Sequence, residues 1–204
     1  MKKKVLLVAA GVAACAFMAF SQAPAAPQGG GMGGMNMGGG RGMGGPAAPA
    51  SVATEVKNAY NRNKAYIQKA ADRVPEDLYD FTVNPAERNF GLQIAHIADA
   101  QVGTCSRVNG AARPGTASQK KTKAEFVAAL TDSFAECDKA YDATTDANAM
   151  EVVPGGRGNQ TRLGLLWGNV AHNNEMYGTI AVYMRAKNLV PPSSDPMPAM
   201  SPGR

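Results

Sequence analysis

Thr122-Lys123-Ala124-Glu125-Phe126, continuing through Leu130, Phe134, Cys137 and Tyr141, is the stretch whose reading decides the fold. Thr122 and Glu125 make the pattern in which two side chains cap each other's backbone amides and start a helix. The apolar residues that follow recur at spacings of four and three, which is one face of a 3.6-residue repeat. A strand would alternate at every second residue, and no competing alternation runs through 51–190. Glu151-Val152-Val153 is too short to predict a sheet.

Three further helical patterns surround this one. The first spans about Ser51 to Val74, with Val56, Tyr60, Ile67 and Val74 at helical spacing and Pro75 ending it. The second is expected to open at Asn84-Pro85-Ala86-Glu87, which offers a cap, a first-turn proline and an acid at the positive helix end. Its face is Phe90, Ile94, Ile97 and Gln101, and it fades at Asn109-Gly110. The fourth runs from about Thr161 to Lys187-Asn188, with Leu166, Val170, Tyr177, Ile180 and Met184 inward and Pro191-Pro192 beyond. Four long helices over 51–192 spell an all-α four-helix bundle. The connections at 75–84, 110–121 and 142–160 are long for a minimal bundle, which suits a functional loop or a non-sequential helix order.

The ends read differently. Met1-Lys2-Lys3-Lys4, an apolar run to Phe20 and Ala23-Pro24-Ala25 predict a secretory signal peptide over 1–25, since the run is shorter than the ~20 residues a bilayer needs. Val12-Ala13-Ala14-Cys15 leaves a second reading open, a lipoprotein anchored to a membrane through Cys15. Residues 26–50 are rich in Gly, Met, Pro and Ala and read as a disordered tether, and 193–204 as a flexible tail. Met32, Met35, Met37 and Met43 of the tether offer soft thioethers to Cu(I), although a biased linker needs no such role. The chain's 21 Lys and Arg, less the three lysines of the signal, leave 18 against 16 Asp and Glu. A charge near +2 makes no electrostatic case for nucleic acid. The expected location is periplasmic or secreted. There the two remaining cysteines, Cys105 and Cys137, are expected to pair, stabilising the fold by about 3–4 kcal/mol through loop closure; two small buried thiols are the alternative.

Several motifs together resemble the DinB-like superfamily. They are Arg73-Val74-Pro75-Glu76-Asp77-Leu78-Tyr79-Asp80-Phe81, then Arg88-Asn89-Phe90-Gly91 and Ala95-His96-Ile97-Ala98-Asp99, and finally His172-Asn173-Asn174-Glu175-Met176-Tyr177-Gly178 with the run to Pro191-Pro192. The likeness covers about 51–195. It implies a bundle with up-down-down-up helix order and a metal site of three histidines, one on the second helix and an i, i+4 pair on the fourth. Relatives of assigned activity include metal-dependent thiol transferases and a maleylpyruvate isomerase.

His96 and His172 are the only histidines of the chain, and they match two of those ligands. The third position is Met176, a soft and weak donor that does not replace imidazole for Zn or Ni. Three readings stay open. The site is degenerate and Met176 fills it. A nearby group such as Asp99 completes a divalent site for Zn or Ni, serving a hydrolase or a thiol-transferase-like enzyme. Or His96, His172 and Met176 hold copper. The reading adopted is the first: a non-catalytic binding module without a bound metal, taking a small-molecule or protein ligand in an inter-helix cleft, or forming a homodimer through apolar helix faces. Trp167 is expected in the core or on a cleft wall, Asn169 beside the same cavity or on a flank, and Arg88 in a surface salt bridge or facing an anionic ligand.

Overall fold

The computed structural model describes residues 51–155 and 158–196. The expected signal peptide, the tether and the last eight positions lie outside the described residues. The chain divides at Pro46, and the structure below is that of the second unit, Ala47–Arg204.

Four helices form this unit: α1 (Val52–Arg73), α2 (Phe90–Val108), α3 (Lys123–Asp142) and α4 (Arg162–Ala186). Three begin where local chemistry places them. The Ser51 side chain accepts from the Thr54 amide, Thr161 from that of Gly164, and Thr122 and Glu125 cap each other reciprocally. α2 begins later than its sequence suggests. Asn84-Pro85-Ala86-Glu87 is a turn, in which the Glu87 amide donates to the Asn84 carbonyl at 2.9 Å and the Ala86 amide to the Asn84 side chain at 2.9 Å. Asn89 is the true cap, its Oδ1 accepting from the Leu92 amide at 2.8 Å.

Side-chain bonds fix the helix senses. Asn63 reaches Val170 and Arg73 reaches Val190, so α1 and α4 run together. Gln101 meets Ser133 and Cys105 meets Cys137, so α2 and α3 run together. Tyr60 meets Asp138 near the far end of α3, and Gln93 meets Tyr183 near the far end of α4, so the two pairs oppose each other. The chain therefore goes up, down, down, up. Each helix packs on two others in the ring α1–α3–α2–α4.

The core is continuous and apolar, with Ile67, Phe90, Ile94, Ile97, Leu130, Phe134, Leu166, Ile180 and Met184 fully enclosed. Burial of each such side chain contributes about 1.5–3 kcal/mol. Tyr60 stacks on Tyr141 at 3.9 Å and donates to Asp138 at 2.8 Å. The disulfide Cys105–Cys137 ties α2 to α3 in this core. Tyr177, expected inside, is half-buried; it stacks on Tyr66 at 5.2 Å and accepts from the Ser193 amide at 2.7 Å.

Two connections hold more structure than expected. β1 (Val152–Val153) pairs antiparallel with β2 (Gln160–Thr161), a two-residue ladder that delivers Thr161 to its capping position. The segment from 193 is anchored over its first residues rather than free. Asp195 takes a two-pronged bond from Arg73, 2.8 Å in each prong, and a second ion pair from Lys69. No helix among the described residues is long and apolar enough to cross a membrane.

Candidate functional site

The opposed packing of α2 and α4 brings the two histidines together. Ala95, Ile97 and Ala98 bury the inner face of α2 and leave His96 at the seam; Val170 and Asn173 do the same around His172. The two Nε2 atoms stand 3.2 Å apart, with ring centroids at 5.1 Å and planes at 65°. At that distance one ring donates its Nε2–H and the other accepts, so the two carry complementary tautomers. Small residues keep the seam open: Ala100 and Gly168 line it, and nothing lies within 4 Å of where a Gly168 Cβ would stand.

Two cavities open between α2 and α4, and His172 lines the first of them. One, about 300 Å³, is lined by Thr104, Arg107, Gln160, Asn169 and His172. The other, about 380 Å³, is lined by Arg88, Gln93, Glu175, Met176 and Tyr183. Burial holds both histidines below their ordinary pKa. For His96 the Arg88 and His172 charges act the same way, against Asp99 and Glu175. For His172 the Asn173 amide and Glu175 act against burial, and Arg88 with it. Both rings are accordingly neutral at pH 7, the form in which imidazole donates to a metal or a ligand.

The other candidates sort cleanly. Met176 lies one turn beyond His172 on the same face and is 7% exposed. Asp99 is turned elsewhere: its carboxylate accepts from the Ala117 amide at 2.7 Å and the Ser118 amide at 3.1 Å, pinning the 110–121 loop. Asn169 is buried, donating to the Tyr141 hydroxyl at 3.2 Å beside both disulfide sulfurs. Arg88 is exposed at the groove mouth, and its carbonyl accepts from Tyr183 at 2.5 Å. Trp167 is 56% exposed and lines a depression with Val52 and Met150 rather than entering the core.

Sequence reasoning named Gln101 and His172 but missed two further buried polar side chains, Gln93 and Asn173. Gln93 Oε1, Gln101 Oε1, His172 Nδ1 and both amide atoms of Asn173 are enclosed without a hydrogen-bond partner. Asn169 and Asn173, four apart and in phase with Met176 and Ile180, carried the available signal: that spacing is a core face.

The site fits the implied divalent ion only in part. Two imidazole nitrogens at 2.0–2.1 Å from one tetrahedral ion lie about 3.3 Å apart, which the 3.2 Å spacing meets. The third position carries a thioether, and no group of three His, Cys, Asp or Glu side chains gathers among the described residues. The three-imidazole donor set is therefore not met.

The comparisons agree with this architecture. A DinB-like protein from Bacillus cereus ATCC 10987 superposes with a TM-score of 0.58 at 14% identity, covering 70% of this chain and 96% of that one. No curated protein matches. The sequence profile of the DinB superfamily matches residues 59–180. With that profile over more than half of its length and the same helical fold, the chain belongs to the DinB superfamily.

Proposed function

We propose that the bundle is a binding module rather than a catalyst, with the α2/α4 groove over His96 and His172 as its ligand seat. The observation that carries this reading is the pairing of the two neutral imidazoles at 3.2 Å with a thioether, not a third nitrogen, one turn on. Hydrolysis or thiol transfer on a divalent ion needs three firm protein ligands and an open position that acidifies water or thiol. Here Asp99, the carboxylate one turn after His96, instead holds a loop. The enclosed Gln93 and Asn173 amides, with hydrogen-bonding capacity unmet, support a polar ligand or ordered water at the groove floor. We place the protein outside the cytoplasm, on the signal-like first 25 residues and the buried Cys105–Cys137 disulfide.

Titration of the purified full chain with Zn²⁺ and Ni²⁺ tests this. The expected result is no stoichiometric binding. One equivalent of either ion, lost in His172→Ala, would restore the metalloenzyme reading.

A further inference from the structure

We infer that the cavity of about 300 Å³ between α2 and α4 takes a small organic monocarboxylate, held by the Arg107 guanidinium and the Thr104 hydroxyl. The inference rests on the groove being a ligand seat and adds the class of ligand. It involves no metal and asks nothing of the imidazole pair. Three features of the cavity carry it.

The first is charge. Arg107 is the one charged side chain on this wall, and among the described residues it makes no ion pair. Its guanidinium lies at the wall itself, because Nη2 donates to Gln160 Oε1 at 3.0 Å and Gln160 lines the same cavity. Nη1 donates to the Gly155 carbonyl at 3.4 Å. Both partners are neutral, so they leave the positive charge uncompensated. Arg162 differs, being paired with Glu151 at 3.3 Å. Glu87 and Glu175 line the other cavity, where Arg88 accompanies them. A lone guanidinium in a concave site favours an anion, and its single charge matches a monoanion better than a dianion. Its planar fork fits a carboxylate.

The second is the company it keeps. Thr104, one turn before Arg107 on α2, adds a hydroxyl to the same wall. The remaining polar groups there are uncharged. Asn169 is already bonded to Tyr141, and burial holds the His172 ring neutral at pH 7.

The third is room for a carbon body. Ala100, Gly164, Leu165 and Gly168 supply the apolar part of the lining. Glycine inside a helix is unfavourable relative to alanine. At Gly168 packing does not demand it, since a Cβ there would meet nothing within 4 Å. At a water's share of about 30 Å³ each, the space suits on the order of ten non-hydrogen atoms. That is the size of a carboxylate with a short aliphatic or single-ring body.

Calorimetry of the full chain with benzoate and butyrate tests this, beside benzamide and inorganic phosphate at constant ionic strength. Benzoate is expected to bind with a Kd of about 1 mM or below, and benzamide and phosphate at least about 10-fold more weakly. Arg107→Gln is expected to weaken benzoate by about 10- to 100-fold, the scale of a lost hydrogen bond to a charged group. That change also loosens the contacts to Gly155 and Gln160, so a second variant leaves Arg107 in place. Gly168→Leu fills the cavity from a better helix former. It is expected to abolish benzoate binding with the melting temperature kept or raised. Benzamide or phosphate binding as tightly as benzoate overturns the inference. Benzoate binding that survives Gly168→Leu overturns it too, as does the absence of binding by both carboxylates at about 10 mM. Stoichiometric Zn²⁺ binding lost in His172→Ala would instead overturn the binding-module reading. Failure of the carboxylates alone leaves that reading standing.

Discussion

The Nε2 atoms of His96 and His172 face each other at 3.2 Å across the seam of two opposed helices. Neither ring has a carboxylate partner of its own, and the Nδ1 of His172 is enclosed without a hydrogen bond. Two imidazolium rings would repel at this distance, and burial already disfavours the charged form in each. The pair is stable as two neutral rings.

That arrangement sets a pH dependence. A histidine whose folded pKa is depressed binds fewer protons folded than unfolded, so stability rises with pH across the interval between the two values. Stability is expected to be full above about pH 7 and to fall as pH drops through the ordinary histidine value near 6.5. Urea midpoints from pH 7.5 to 5.5 read this, and a His96→Asn/His172→Asn double variant is expected to flatten the slope. An equal slope in that variant would place the protons elsewhere.

Asn173 is fully buried and neither amide atom makes a hydrogen bond of good geometry, although its side chain lies near enough to His172 to act against the lowering of that ring's pKa. Asn173→Leu removes two unmet polar atoms at similar volume. The expected outcome is a gain of about 1–3 kcal/mol, the scale on which an unsatisfied buried group is penalised. NMR titration should show the His172 pKa moving lower still. A loss of stability would mean that the amide has a buried partner, such as an ordered water.

The Cys105–Cys137 bond closes 32 residues of chain. By the loop-entropy relation its removal as a double Cys→Ala variant lowers stability by about 3–4 kcal/mol. Thiol titration of the denatured, non-reduced chain is expected to find neither cysteine free. Two free thiols would refute the bond in solution.

Asp99 acts on the loop, not on the histidines. Asp99→Asn weakens two amide bonds and is expected to cost about 1–3 kcal/mol while leaving metal titrations unchanged. Gly115 reports on the same contact, because a Cβ there would overlap the Asp99 backbone. Gly115→Ala is expected to destabilise by a similar amount through forced displacement. A change in the Zn²⁺ titration in Asp99→Asn would bring the carboxylate back to the site.

Much of this was legible in the chain because the signals are local. Capping at Thr122 and Glu125, the stripe from Phe126 to Tyr141 and the break at Pro75 all act within a few residues. The start of α2 was not legible, because Asn84 and Asn89 both have capping chemistry and only tertiary context chooses. The Phe90 amide donates to Phe81 and the Gly91 amide to Tyr79, which holds 79–89 as a folded loop and hands the cap to Asn89. The histidine pair was legible as residue types at matching helix positions, but its facing geometry was not. Helical phase alone misassigned Tyr177 to the interior and left Asn173 out of it. Asp99 looked like a ligand because it lies one turn from His96, yet the loop amides that claim it are 18 and 19 residues away.

The most direct test of the central claim is to give the site back its third imidazole. Zn²⁺ titration of Met176→His, beside wild type and by calorimetry, asks whether this one side chain is what separates the groove from a divalent centre. The account predicts a new stoichiometric Zn²⁺ site in Met176→His that His96→Ala abolishes, with wild type flat. Equal Zn²⁺ affinity in both proteins would contradict it.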